Sequence, residues 1–301
     1  MSSSILVSQL WDALGTDNGM EKVSGLTGNY LRDRIRETSV ANRALPPKVV
    51  TENDVERNTD NDFPLMRIDI EPDSKAFAVG FRGKGHAQFF EGRKYEVYFT
   101  KLETEHFKKT REELTTMRYP VMDVVNNNFI YDMQEQVDGL FKSRLNVAAG
   151  LSGVVGSITA TDIKGTFKDG IINAVKGVLG KRRRTAKLIM TEACWLNLAK
   201  LEPDKIGYDN VGRIAMNGVY AEKTFLGYEV ITSINSATAG SVWSDSEIFV
   251  IPTADFLGSN FILGDVQQEF KREGNMLEWY SWSDQGIELG NVGGVGKVTI
   301  A

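Results

Sequence analysis

The chain has 301 residues, 42% hydrophobic and 25% charged, with a formal net charge of −5. That is globular composition, which excludes disorder, collagen and a simple coiled coil. Its only cysteine, Cys194, excludes an intrachain disulfide, and two histidines, His86 and His106, leave little material for histidine-based zinc sites or Ser-His-Asp catalysis. The net charge argues against general nucleic-acid binding, and no apolar run approaches the roughly 20 residues of a membrane helix. The first residues lack the charged flank of a signal peptide.

Residues 1–50 read as an arm. Leu6, Leu10, Trp11 and Leu14 share one helical face within 5–14, and a second helix is expected over 30–40. Pro46 and Pro47 then force an extended exit. Two such short helices need other parts of the protein to pack on.

An acidic stretch follows over 52–73, with Glu52, Asp54, Glu56, Asp60, Asp62, Asp69, Glu71 and Asp73 set against Arg57 and Arg67. Its later part alternates Met66, Ile68 and Ile70 with Arg67, Asp69 and Glu71, which predicts a half-buried strand. Phe77, Val79 and Phe81 predict a second strand. Gly83 and Gly85 predict a tight turn, and Tyr95, Val97 and Phe99 predict a return strand. The product is a long antiparallel excursion without a covering helix. A sheet of this kind cannot bury both faces within itself, so its aromatics are expected to lack cover from their own chain.

Residues 104–118 read as a polar helix that includes His106. The longest helix is expected over 121–148, where Val121, Val124, Val125, Phe129, Met133, Val137, Leu140 and Phe141 keep a spacing of three and four behind Pro120. At 1.5 Å per residue it is about 40 Å long, enough to cross a domain as a spine. Small residues over 148–165 predict a loop or joint. Thr166 is a candidate helix cap, with Asp169 as a weak partner. Lys181, Arg182, Arg183 and Arg184 close that helix. A buried strand over 186–190 leads to a helix capped by Thr191 that runs to 201, and 203–219 is loop-like. Segments 224–232, 247–251, 260–263, 276–283 and 296–300 read as strands.

Motif by motif, catalysis finds little support. The glycine-rich segment from Gly293 to Thr299 fails as a phosphate loop, because Asn291 stands where the first glycine is required and Val298 follows Lys297. Asn58, Asp60 and Asp62 have calcium-loop spacing without the glycine or the distal glutamate. Neither histidine has a partner at metal-ligand spacing, and Cys194 beside Trp195 reads as a small buried hydrophobe. No catalytic, cofactor or metal residue is assigned, so the chain is not read as an enzyme. The cationic cluster 181–184 fits either a helix C-terminus or a contact, whether with nucleic acid or with an acidic surface on a neighbouring copy.

The order of elements resembles the major capsid protein of tailed bacteriophages, the Hong Kong 97-type fold shared with encapsulin shells. Four stretches carry the resemblance. Residues 94–114, opening Lys94, Tyr95, Glu96, Val97, Tyr98, Phe99, are similar to that family's return strand and following helix. Asp132, Met133, Gln134, Glu135, Gln136, Val137 and Asp138, with Phe141, are similar to its spine-helix end. Phe225, Leu226, Gly227, Tyr228, Glu229, Val230 and Ile231 are similar to its strand across the lobes. Ile262, Leu263, Gly264 and Asp265 are similar to a late strand turn.

The resemblance implies an α+β fold in five parts. These are an N-terminal arm (1–50), an E-loop excursion with flanking strands (51–103), a peripheral domain with the spine helix (104–164), most of an axial domain (165–240), and C-terminal strands shared by both domains (241–301). It implies pentamers and hexamers closing an icosahedral shell around double-stranded DNA without sequence-specific binding. It further implies a place in the virion after assembly in the host cytoplasm, no membrane and no cofactor, and scaffolding, portal and decoration proteins as partners. Phe77, Phe81, Lys84, Phe89, Phe90, Tyr95, Arg182, Arg183 and Arg184 are the candidate inter-subunit contacts. Some members of the family join an E-loop lysine to a neighbour's asparagine, and Lys84 stands at a comparable place. The alternatives are an encapsulin-like compartment and a small metal-dependent enzyme built on 58–62. If the basic cluster meets an acidic neighbour, Arg183→Glu impairs assembly. Raising salt, which shortens the Debye length from about 10 Å at 0.1 M to 3 Å at 1 M, weakens the same contact. Sedimentation of the assembled fraction measures both.

Overall fold

A computed structural model describes residues 39–57, 64–70, 78–83, 85, 92–116, 121–197, 224–233 and 242–301. In chain order the helices are α1 (Val40–Ala44), α2 (Arg111–Thr116), α3 (Val121–Ser152), α4 (Ile163–Gly180), α5 (Glu192–Leu196) and α6 (Ala254–Leu257). The strands are β1 (Lys48–Val50), β2 (Leu65–Ile70), β3 (Arg93–Tyr98), β4 (Thr100–Glu103), β5 (Phe107–Thr110), β6 (Val155–Ile158), β7 (Lys187–Thr191), β8 (Thr224–Phe225), β9 (Tyr228–Ser233), β10 (Glu247–Ile251), β11 (Ser259–Glu273), β12 (Met276–Glu288) and β13 (Gly296–Ile300).

Two sheets organise these elements. One has the order β1-β11-β12-β4, with β5 also on β12. The other runs β6-β13-β10-β7-β9-β8. The β2–β3 hairpin stands apart as a two-stranded ribbon. Helix α3 is the spine, about 48 Å long for its 32 residues. Phe129, Met133, Val137, Phe141 and Leu145 recur every fourth residue along it, and all are buried. That spacing keeps them on one face. They share one core with Phe270, Leu277 and Trp279 of the first sheet and with Ile189, Ile231 and Phe249 of the second. Helix α4 covers the far face of the second sheet through Phe167, Ile171, Ala174 and Val178. Two glycines allow its close approach. A Cβ on Gly170 would fall 2.6 Å from Ile158 Cγ1, and one on Gly156 would fall 2.6 Å from the Gly170 carbonyl oxygen.

Polar groups bolt the spine to α1 and to the second sheet. Asp138 is buried beneath α1. It accepts hydrogen bonds from Ser39 Oγ (2.6 Å), Ala41 N (2.9 Å), Val40 N (3.3 Å) and Trp243 Nε1 (3.3 Å). Burial pushes its carboxyl above the usual range, against those four bonds. Glu247 sits between Lys142 (2.9 Å) and Lys297 (2.5 Å). Burial raises its pKa and the two lysines more than reverse that, so the carboxylate is held charged.

Several sequence expectations need correction. Ser39 is extended (φ −66°, ψ 133°) and caps a helix that starts at Val40, so no helix runs through to 40. The rest of 30–40, and all of 5–14, lie outside the described residues. Val79 and Phe81 are not in a strand, since Gly83 N donates to Gly80 O at 2.8 Å and closes a turn there. Residues 107–110 are strand, not helix, because Phe107 packs on Trp279 with ring centroids 5.5 Å apart. His106 stands at the corner between β4 and β5. The expected joint over 148–165 instead holds the end of the spine and β6, which pairs parallel with β13. Asp162, not Thr166, caps α4, accepting from Gly165 N at 3.0 Å. Thr191 does cap α5, accepting from Cys194 N, while 198–201 lie outside the described residues. Cys194 is buried, and its thiol is pushed up to about 12.

Replacing Asp138 by Ala strands four buried donors. At about 1–3 kcal/mol for an unsatisfied buried group, the loss of stability is expected to be about 3 kcal/mol or more. Urea denaturation of the isolated chain measures it.

Candidate assembly surface

The β2–β3 ribbon is where the sequence placed its contacts. Its register runs from Leu65↔Tyr98 to Ile70↔Arg93. Side chains directly opposite share a face, so Met66, Ile68, Tyr95 and Val97 form the apolar side. The other side is a charged ladder, with Arg67–Glu96 at 3.2 Å and Lys94–Asp69 at 3.6 Å. Tyr98 donates to Glu96 Oε2 at 2.6 Å. That bond, then the one from Arg67, holds the Glu96 carboxyl below its usual range. These pairs are exposed, so solvent and salt screen them and they add little to stability.

The apolar side is not bare at its root. Val97 and Phe99 are buried against Phe261 and Leu263, with Tyr95 packed alongside. The Tyr95 hydroxyl is 2.8 Å from Ser259 Oγ, and a Cβ on Gly290 would fall 3.0 Å from the Tyr95 ring. Tyr95 and Phe99 therefore have cover from their own chain, which corrects the expectation that they lack it. Farther out the situation reverses. Phe81 is fully exposed and Val79 is 54% exposed. Phe77, Lys84, Phe89 and Phe90 lie outside the described residues, as do His86 and the acidic loop 58–62.

The basic cluster forms the turn after α4. Arg182 holds a left-handed φ of 58°. Lys181 Nζ donates to the Ser152 carbonyl oxygen, tying this turn to the end of the spine, and Arg183 Nε donates to Asn291 Oδ1 at 3.0 Å. Both partners are neutral oxygens, and all four cations are exposed. The acidic stretch is less open than its sequence suggested. Glu52 pairs with Arg57 at 3.4 Å, Glu56 with Arg67 at 3.2 Å, and Asp69 with Lys94.

Sequence reasoning missed a third surface. Val147 and Leu151, one helical turn apart near the end of the spine, are 57% and 72% exposed. Val155 on the edge strand β6 is 66% exposed. The signal was present, because Val147 and Leu151 fall off the buried stripe. Among the described residues no group of three His, Cys, Asp or Glu side chains is arranged to hold a metal.

No protein-family model matches the sequence, and no curated protein matches it. The structure is similar to a chain from the capsid of the cyanophage P-SCSP1u, at 12% identity and a TM-score of 0.59, covering 86% of this chain and 86% of that one. It is similar to a chain from the mature capsid of bacteriophage PhiM1, at 12% identity and a TM-score of 0.52, covering 88% and 87%. A chain from Microbacterium phage Oxtober96 gives 12% identity and a TM-score of 0.59, covering 88% and 91%. The chain has the α+β phage capsid fold that the sequence resemblance implied.

Phe81 is fully exposed. Phe81→Ser is expected to change the stability of the isolated chain by less than about 0.5 kcal/mol. Phe99→Ala, at a buried position on the same ribbon system, is expected to cost about 3–5 kcal/mol. Parallel urea titrations compare the two.

Proposed function

We propose that this protein is a major capsid protein. Copies form pentamers and hexamers, these close into an icosahedral shell, and the shell encloses double-stranded DNA in a virion. The observation that carries the reading is the match in fold to phage capsid chains over nearly the whole length of both partners. The chemistry of the described surface agrees with it. A ribbon whose root is buried in its own subunit, and whose connecting segment between β2 and β3 exposes Val79 and Phe81, is suited to contact a neighbour.

In this reading the work of the chain is association, not catalysis. Phe77, Phe81, Lys84, Phe89 and Phe90 serve as contacts to a neighbouring copy, and Tyr95 stabilises the root of the ribbon. Arg182, Arg183 and Arg184 form a second contact. Each Å² of apolar surface buried between copies contributes about 25 cal/mol, offset by several kcal/mol of lost rigid-body freedom. A single contact of this kind is weak, and a closed shell gains from having many per copy. The mildly acidic chain limits adhesion of the wall to packaged DNA. Residues 1–50 serve as the arm, 51–103 as the E-loop with its strands, 104–164 as the peripheral domain and 165–240 as most of the axial domain, with 241–301 shared.

Negative-stain microscopy of the purified protein is expected to show capsomers or closed shells. A protein that stays monomeric at high concentration, with and without a co-expressed scaffolding protein, overturns the proposal. Phe81→Ser is expected to lower the assembled fraction at unchanged subunit stability.

A further inference from the structure

His106 stands at the corner where the chain passes from β4 to β5, and both of these short strands pair with β12. Its imidazole lies flat on the Tyr280 ring, with centroids 4.0 Å apart and planes 4° apart. Both ring nitrogens meet carboxylates. Nε2 is 2.8 Å from Glu103 Oε1 on β4, and Nδ1 is 2.7 Å from Glu278 Oε1 on β12.

A neutral imidazole carries one N–H and one lone pair, and an ionised carboxylate only accepts. A neutral ring could satisfy one of these two oxygens while turning its lone pair on the other. The doubly protonated ring satisfies both. The bond to His106 first, and a lysine second, holds each carboxyl below its usual range, with Lys101 Nζ 2.9 Å from Glu103 Oε2 and Lys108 Nζ 3.1 Å from Glu278 Oε2. The proton that the geometry requires therefore belongs to His106.

The other charged groups facing the site come from every strand around it. Lys271 of β11 lies across from Glu278, and Glu269 of β11 accepts from the Tyr280 hydroxyl at 2.6 Å. Glu105 is the neighbouring residue at the corner itself. The bonds to Glu103 and then Glu278 raise the pKa of His106 above its ordinary value. The corner is also a junction. On one side β4 leads back through Phe99 to β3 and the ribbon, and on the other β5 leads into α2, ahead of the spine.

We propose that His106 is a pH-operated fastener. As the imidazolium it clamps Glu103 of β4 to Glu278 of β12, and on losing its proton it frees the corner from which the β2–β3 ribbon is aimed. The sign follows from linkage. A histidine whose pKa is raised on folding contributes stability that is fully present below its unfolded value of about 6.5 and is lost as pH rises through the folded value. The device acts toward alkaline pH, and acidification leaves it closed until the glutamates protonate.

The chain has only two histidines, which makes the test clean. In the full-length protein, two-dimensional ¹H–¹⁵N spectra of the imidazoles, assigned with His86→Gln, follow each ring against pH. His106 is expected to be protonated on both nitrogens at pH 6 and to titrate above about 6.5. Its midpoint is expected to fall in Glu278→Gln. A single neutral tautomer at pH 6, or a midpoint at or below 6.5, overturns the proposal. A second arm separates the clamp from simple packing. His106→Gln is expected to lower Tm at pH 6, with the deficit shrinking as pH approaches 9. An equal deficit at both pH values makes His106 a packing residue and overturns the switch. Neither arm requires assembly, so both remain decisive whether or not the protein forms shells.

Discussion

Phe129, Met133, Val137, Phe141 and Leu145 form the stripe on which both sheets close. A helix of 32 residues is long enough to pass from one sheet to the other, and a repeat of four keeps its buried face pointed at both. The first sheet brings Phe270, Leu277 and Trp279 to this stripe, and the second brings Ile189, Ile231 and Phe249. Asp138 and Lys142, on the same helix, hold the segment at 39–45 and the strand at 247–251 by hydrogen bonds and ion pairing. The helix is thus both the core of the molecule and the frame from which its outer parts are aimed.

That frame explains how one excursion can be both ordered and available. At its root Val97 and Phe99 are buried on β11 residues, and Tyr95 is tied to Ser259. Beyond the root, Phe81 has no such support. A chain that covered the whole excursion would leave none of its apolar side chains exposed. One that covered none of it could not hold the ribbon in a direction, because an isolated two-stranded ribbon is marginal in water. The proposed fastener at His106 lies on the path between this root and the spine.

Charge is handled in the same divided way. Glu52, Glu56 and Asp69 have cations from their own chain, so part of the acidic character read from residues 52–73 is balanced locally. In the turn 181–184, Lys181 and Arg183 donate to neutral oxygens, at Ser152 and Asn291.

The sequence by itself determined the elements whose pattern is local. The alternation of Met66, Arg67, Ile68 and Asp69 specified the faces of β2. The spacing of Phe129, Met133, Val137 and Phe141 specified the spine, and Thr191 specified a cap. These follow from the periods of strand and helix, which act over a few residues. The order of such elements also sufficed for the capsid resemblance, although identity with solved capsid chains is only about 12%. Only the tertiary structure decided what depends on distant partners. Residues 107–110 became strand because β12, some 170 residues later, supplied Trp279. Tyr95 gained cover from Ser259 and Gly290. His106 became a clamp through Glu278, and Asp138 became an anchor through Ser39 and Trp243. In each case the side chain's surroundings come from another part of the chain, and periodicity carries no information about which part that is.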